Sequence, residues 1–283
     1  MSAIEQNATE WERNARSNPL WAVLTDSRRK TQSWDVDDFF STGYDEVALV
    51  FERLDKLDIR PDPAGKFLDF GCGVGRISRV LMQHFSEGFG IDVSETMIEK
   101  AKAFSASDPG QARYIKNTRG DLALIASDRI DFVYSHIVLQ HVPAACQSRF
   151  IEEFIRILKP GGVAAFQIPT ANVESAGRRR MRATKRMLHR ILPSAPLTLV
   201  KRALGRDASV AGVSMDMNVC PEIVVRGIIA RNRCVLLEAP YTNSTDRNHG
   251  GRIRFMSRDD ALAEIASGAT DSPYLSQFFF VRK

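Results

Sequence analysis

The chain of 283 residues contains no run of eighteen consecutive apolar residues, so no membrane-spanning helix is expected. Cysteine is scarce. Cys72, Cys146, Cys220 and Cys234 stand far apart and form no CxxC pair. Neither a zinc framework nor a disulfide scaffold is therefore expected, and a reducing cytoplasm is the expected setting. The opening MSAIEQNATEWERNARSNPLW lacks an apolar h-region and carries acids early, so a secretory signal is not expected. There is no internal repeat or low-complexity tract. With 44% apolar and 26% charged residues, the composition suits one large globular domain, or one domain with an appendage.

Acidic residues are missing from one stretch. Between Arg178 and Arg206 there are ten Lys or Arg and no Asp or Glu. The overall charge is +5, from 39 basic and 34 acidic residues. The rest of the chain therefore sets 29 basic residues against 34 acidic ones. An acidic protein with one basic segment implies a local anionic contact, not a general nucleic-acid-binding surface.

The order of elements follows from periodicity. Residues 1–60 read as short helices: WERNARSNPLWAVL has helical spacing, and Val47, Val50, Phe51, Leu54 and Leu57 recur along a second stretch before Pro61 and Pro63. From Lys66 strands and helices alternate. KFLDF, GFGID, DFVYS and GVAAFQIP read as strands; RISRVLMQHF, a helix capped by Ser94, and QSRFIEEFIRILK read as helices, the last ended by Pro160-Gly161-Gly162. EIVVRGIIARN then reads as a helix and CVLLEAPY and SQFFFVRK as strands, with TNSTDRNHGG a loop between them. Such alternation predicts an α/β fold with a mostly parallel sheet and helices on both faces.

The strongest chemical signal is FLDFGCGVG, residues 67–75, where a buried strand runs into Gly71, Gly73 and Gly75. Glycines suit a turn that presents bare backbone to a ligand, and a following helix start favours an anionic group. GFGID ends in Asp92, about twenty residues after Gly71, where a carboxylate grips a ribose diol. Position 76, which a dinucleotide fingerprint fills with a third glycine, is Arg76.

These residues, with GIDVSETMIEKAK, RGDLALI, DFVYSHIVLQHV and LKPGGVAAFQIP following in order over 67–170, resemble the class I S-adenosylmethionine-dependent methyltransferases of the small-molecule type. The resemblance implies a doubly wound, Rossmann-like sheet of about seven mostly parallel strands, the last antiparallel. It implies S-adenosyl-L-methionine as cofactor. Asp69, Gly71, Gly73 and Gly75 would stand beside its methionine portion, Asp92 on the ribose hydroxyls, Met97 near the adenine and Asp121 toward the adenine amino group. Val93, Leu122 and Ser135 complete that expected set. Transfer to an oxygen needs a proton acceptor; His141, just past the fourth strand, is the first candidate and His136 the second. The Asn/Asp-Pro-Pro-Tyr/Phe run of amine-methylating relatives is replaced by Ser135-His136-Ile137-Val138. No carboxylate cluster at metal spacing flanks the glycine loop, so no metal is expected.

The expected organisation is a helical cap or lid at 1–60, a cofactor-binding core at 61–170, a basic helical insertion at 171–222 and the rest of the core sheet at 223–283. Trp34, Phe39, Phe40 and Tyr44 around Gly43 either close over the cofactor or pack as a helical cap. In the insertion, Met181, Met187, Leu188, Ile191 and Leu192 share one side of a helix and arginines cover the remainder. A membrane surface or lipid-linked substrate is the favoured contact, giving a cytoplasmic protein with peripheral attachment at the inner membrane. A solvated cover helix and a phosphorylated or acidic acceptor follow. RNA comes last, since residues 172–206 contain no Phe, Tyr or Trp. Asp246, Arg247, His249 and Arg252 in the late loop suit a polar acceptor such as a sugar hydroxyl, or an ordinary surface loop. The expected activity is O-methylation of a small polar or lipid-linked acceptor such as a glycan. The alternatives are a non-catalytic S-adenosylmethionine- or nucleotide-binding protein and an NAD-dependent oxidoreductase.

Overall fold

A computed structural model describes residues 2–24, 34–110, 112–173, 217–246, 252–270 and 272–283. The basic segment 178–206, Arg247 and His249 lie outside the described residues.

Three helices lead the chain. α1 (Ala3–Ser17) starts at a capping box in which Ser2 and Glu5 satisfy each other's backbone N–H groups. α2 (Pro19–Val23) is capped by Asn18, and α3 (Val36–Lys56) by Asp35, whose carboxylate accepts from the Asp37 and Asp38 N–H groups. The core then alternates: β1 (Lys66–Phe70), α4 (Arg76–Leu81), β2 (Glu87–Asp92), α5 (Glu95–Phe104), β3 (Arg113–Lys116), β4 (Ile130–Ser135), α6 (Ala144–Ile157) and β5 (Leu158–Asn172). After the insertion come α7 (Glu222–Arg231), β6 (Val235–Glu238), β7 (Tyr241–Thr242), β8 (Phe255–Met256), α8 (Arg258–Ser267) and β9 (Tyr274–Arg282).

The sheet runs β3-β2-β1-β4-β5-β9-β7-β8, with β6 also paired to β9. β1 to β5 are parallel, and β9 is antiparallel to β5, β6 and β7. Among the described residues the strand count reaches nine because Phe255–Met256 adds β8 and CVLLEAPY does not form one strand. It breaks at Pro240, which has no N–H for the ladder, and β6 and β7 share the same edge of β9 at Leu236↔Val281 and Tyr241↔Gln277. α6 ends at Ile157, short of Pro160, because Leu158 already pairs with Ile130 as strand. α8 was not read from the sequence, although Ser257 caps its start and Gly268 ends it with a left-handed turn.

Hydrophobic layers cover both faces of the sheet. Phe150, Phe154 and Ile155 of α6 join Val225, Ile228 and Ile229 of α7 on one side. Val47, Val50 and Leu54 of α3, each about 1% exposed, pack with Ile77 and Val80 of α4 on the other. Each such side chain contributes about 1.5–3 kcal/mol by leaving water. At Gly43 the two helices touch backbone to backbone: a Cβ there would lie 2.7 Å from the Arg76 carbonyl oxygen. Trp34, Phe39 and Phe40 are buried in a third cluster with Val74 and Met97, while Tyr44 is half exposed. These aromatics pack as a helical cap and do not line the central cleft.

Candidate functional site

β1 and β4 end side by side, and the chain turns away in opposite directions, leaving a cleft at the carboxyl ends of the strands. That is the place where open α/β sheets bind ligands. Gly71 and Gly73 adopt φ +77° and +53°, a region that costs L-residues with a Cβ about 1–2 kcal/mol. Space forbids a Cβ as well: at Gly71 it would lie 2.3 Å from Val138 Cγ2, and at Gly73 2.6 Å from Val23 Cγ2. The Gly71 and Cys72 N–H groups donate to the Ile91 carbonyl at 2.7 and 3.0 Å, tying the loop to the end of β2.

Asp92 stands at that end. Its Oδ2 accepts from the Gly73 N–H at 3.0 Å and its Oδ1 from the Ser94 N–H at 2.9 Å. Burial pushes the carboxyl up to about 6, although the Ser94, Gly73 and Val93 N–H groups act in the opposite direction. Each carboxylate oxygen has two lone pairs, so both keep acceptor capacity toward the cleft.

Gly71, Gly73, Asp92, Val93 and Met97 all line the cleft. The other five expected cofactor residues stand elsewhere. Asp69 is buried behind the loop, accepting from the Ser78 hydroxyl at 2.6 Å, and burial raises its carboxyl to about 7. Gly75 caps α4 against the Tyr114 hydroxyl. The Asp121 carboxylate is engaged by Arg119 and Arg149 at 3.0 Å each. Leu122 is fully buried, its N–H donating to Glu153, and Ser135 is fully buried, its hydroxyl donating to the Phe70 carbonyl. Asn117, which the sequence did not single out, lines the cleft just past β3; its N–H donates to the Asp92 carbonyl at 2.8 Å.

The outer wall of the cleft was also unforeseen in detail. Ile4, Asn7 and Trp11 of α1, with Ala22 and Val23 of α2, form the outer wall. Glu12 fastens α1 to the start of α5, accepting from the Ser94 and Thr96 hydroxyls at 2.7 and 2.6 Å. Burial raises its carboxyl, but hydrogen bonds from Thr96, Ser94 and Arg16 outweigh that and hold it at about 2.

Both expected histidines reach the cleft. His141 packs edge-on against Trp11 with ring centroids 5.2 Å apart. Its Nε2 lies 3.0 Å from Gln140 Nε2, and Gln140 Oε1 accepts from Gln167, so the Gln140 amide donates to His141. His136 is backed by a carboxylate: Nδ1 is 3.0 Å from Glu46 Oε1, and Nε2 is 2.7 Å from Ser244 Oγ. Glu46 also accepts from Arg76 Nη2 at 2.7 Å and the Tyr134 hydroxyl at 2.5 Å. Burial alone would raise the Glu46 carboxyl, yet Arg76 and His136 hold it far below the usual range. The residue in the third-glycine position of a dinucleotide loop is thus the buried partner of this carboxylate. Among the described residues no three His, Cys, Asp or Glu side chains converge to hold a metal ion.

Residues 68–166 match the family model of a methyltransferase domain. The ubiquinone biosynthesis O-methyltransferase of Saccharophagus degradans is 31% identical over 140 residues, covering 49% of this chain and 57% of that protein. The trans-aconitate 2-methyltransferase of Deinococcus radiodurans is 33% identical over 124 residues, covering 43% and 44%. The alignments thus span about half the length of these curated relatives. In fold, the chain resembles an S-adenosylmethionine-dependent methyltransferase of Leishmania major (TM-score 0.55, 10% identity, 99% of this chain and 82% of the other). It also resembles one of Mesorhizobium loti (0.51, 19%, 82% and 97%).

Proposed function

We propose that the chain, whose residues 68–166 match a methyltransferase domain, is a class I S-adenosylmethionine-dependent methyltransferase that transfers a methyl group to a hydroxyl of a small acceptor. The observation that carries this is the Gly73–Asp92 cradle: two glycines where a Cβ has no room, facing a carboxylate with free lone pairs in one cleft. Such a cradle fits a nucleoside with a vicinal diol. Gly71, Gly73, Asp92, Val93, Met97 and Asn117 would hold the cofactor, which supplies an electrophilic methyl on a sulfonium. Trp11, Ile4 and Val23 exclude water from it, and the rigid strand ends align donor and acceptor.

An attacking hydroxyl must lose its proton, and His136 is the side chain placed to take it. A carboxylate stands behind its Nδ1, placed to stabilise the imidazolium that proton uptake forms, whereas the ring of His141 is met by the neutral Gln140 amide. We place the acceptor among small polar or lipid-linked hydroxyl compounds such as glycans, with residues 171–222 as its contact and residues 178–206 as a peripheral membrane contact. The relatives' names, an O-methyltransferase of ubiquinone biosynthesis and a trans-aconitate methyltransferase, support an oxygen acceptor of low molecular weight. The charge of the segment, ten basic residues without an acid, supports an anionic contact. The test is mass spectrometry of extracts incubated with isotopically labelled donor, comparing wild type with Asp92→Ala. A labelled product absent with the variant is expected; donor binding without label in any acceptor would leave a non-catalytic binding protein.

A further inference from the structure

We propose that Glu46 is a positioning residue that fixes the tautomer of His136, leaving Nε2 as the proton-accepting atom. The inference rests on the reading that His136 takes the acceptor's proton. Glu46 projects from α3, outside the domain matched at 68–166, and its side chain is fully buried.

The argument is one of donors and acceptors. Glu46 is ionised, so its oxygens only accept. Oε2 takes Arg76 Nη2, and Oε1 takes the Tyr134 hydroxyl and faces His136 Nδ1 at 3.0 Å. Nδ1 must therefore carry a hydrogen. In the neutral ring Nε2 is then a bare lone pair, and Ser244 Oγ at 2.7 Å donates to it. Ser244 and Thr242 are 2.8 Å apart and can hydrogen-bond in either sense, so the serine hydroxyl can turn toward Thr242 once Nε2 carries a proton. Arg76 gives the arrangement its rigidity. A carboxylate alone at full burial would protonate and become a donor, and with Arg76 beside it the carboxylate stays an acceptor. The ring is also wedged against Phe278, with centroids 5.9 Å apart.

Replacing Glu46 leaves Arg76 buried without its counter-charge and threatens the fold, so two variants are needed. Glu46→Gln keeps size and removes charge; the double variant Glu46→Met, Arg76→Met removes both charges, a change that folded proteins often tolerate. The readouts are the nitrogen-15 NMR signature of the His136 ring, which reports the tautomer without any methyl transfer, and kcat with donor KM. The expected result is a single Nδ1–H tautomer in wild type at pH 7.5, and a mixed or reversed tautomer in at least one folded variant. kcat should fall about 100-fold, the scale of a lost general base, with donor KM within about twofold. A wild-type ring that is doubly protonated or carries its hydrogen on Nε2 overturns the proposal. So does an unchanged tautomer in every variant that folds. An altered tautomer with full kcat instead overturns the assignment of His136 as proton acceptor.

Discussion

Gly73 donates its backbone N–H to Asp92 at 3.0 Å, so the glycine loop after β1 and the acid after β2 are one hydrogen-bonded unit. The carboxylate is oriented before any ligand arrives. Asp92→Ala removes both the proposed acceptor for a ribose diol and the tether of the loop. Affinity for S-adenosylmethionine, measured by calorimetry, should fall about 10- to 100-fold, equivalent to about 1–3 kcal/mol of charge-assisted hydrogen bonding. Undiminished affinity would remove Asp92 from the site.

The same carboxyl gives a pH dependence. Burial lifts it to about 6, and only the ionised form accepts two hydroxyl donors. Donor affinity should be full above pH 7 and decline as pH falls through 6. Asp92→Asn should show a low, flat profile over that range. Equal slopes for the two proteins would refute the link.

Gly71→Ala meets both a left-handed φ of +77° and a Val138 methyl at 2.3 Å. Thermal unfolding should show a loss of at least about 1–2 kcal/mol, and donor binding should disappear. Adding Val138→Ala should recover part of the stability, since it removes the two clashing methyls and leaves a tight contact with the Cβ of residue 138 at 2.9 Å and the backbone strain.

Glu12 holds α1 to the start of α5, and its carboxyl is held at about 2. A depressed acid stabilises the fold above its unfolded value near 4.5, and that contribution is lost as pH falls toward 2. The Tm gap between wild type and Glu12→Gln should be constant above pH 5 and close on acidification. Donor KM should rise in the variant at neutral pH as Trp11 loosens over the cleft.

For the basic segment, replacing Arg178, Arg179, Arg180 and Arg182 with Gln should reduce co-sedimentation with anionic vesicles, and added salt should do the same to wild type. Equal recovery of both proteins would exclude the peripheral membrane contact.

Much of the frame was legible in local pattern. β1, β2, β4 and the buried part of β5 stand where apolar runs meet turns, and Ser94 caps α5 as its position implied. The split of β6 from β7 was less visible because Pro240 interrupts a run that otherwise reads as continuous, and α8 lacks a strong apolar stripe, burying only Ala261.

Gly71, Gly73, Asp92, Val93 and Met97 all line the cleft, and they could be singled out in advance because chain geometry within a few residues of a strand end places them there. Asn117, Trp11 and Glu46 could not. Each belongs to an element whose partner lies far along the chain: Glu46 meets His136 across 90 positions, and Glu12 meets Thr96 across 84. The order of residues by itself determined the glycine turn, the acid opposite it and the alternation that builds a parallel sheet, since backbone sterics and periodicity act locally. Only the folded chain decided which polar groups share a buried space. Hydrogen-bond direction and charge pairing depend on distances of a few ångströms between segments that sequence spacing leaves unrelated.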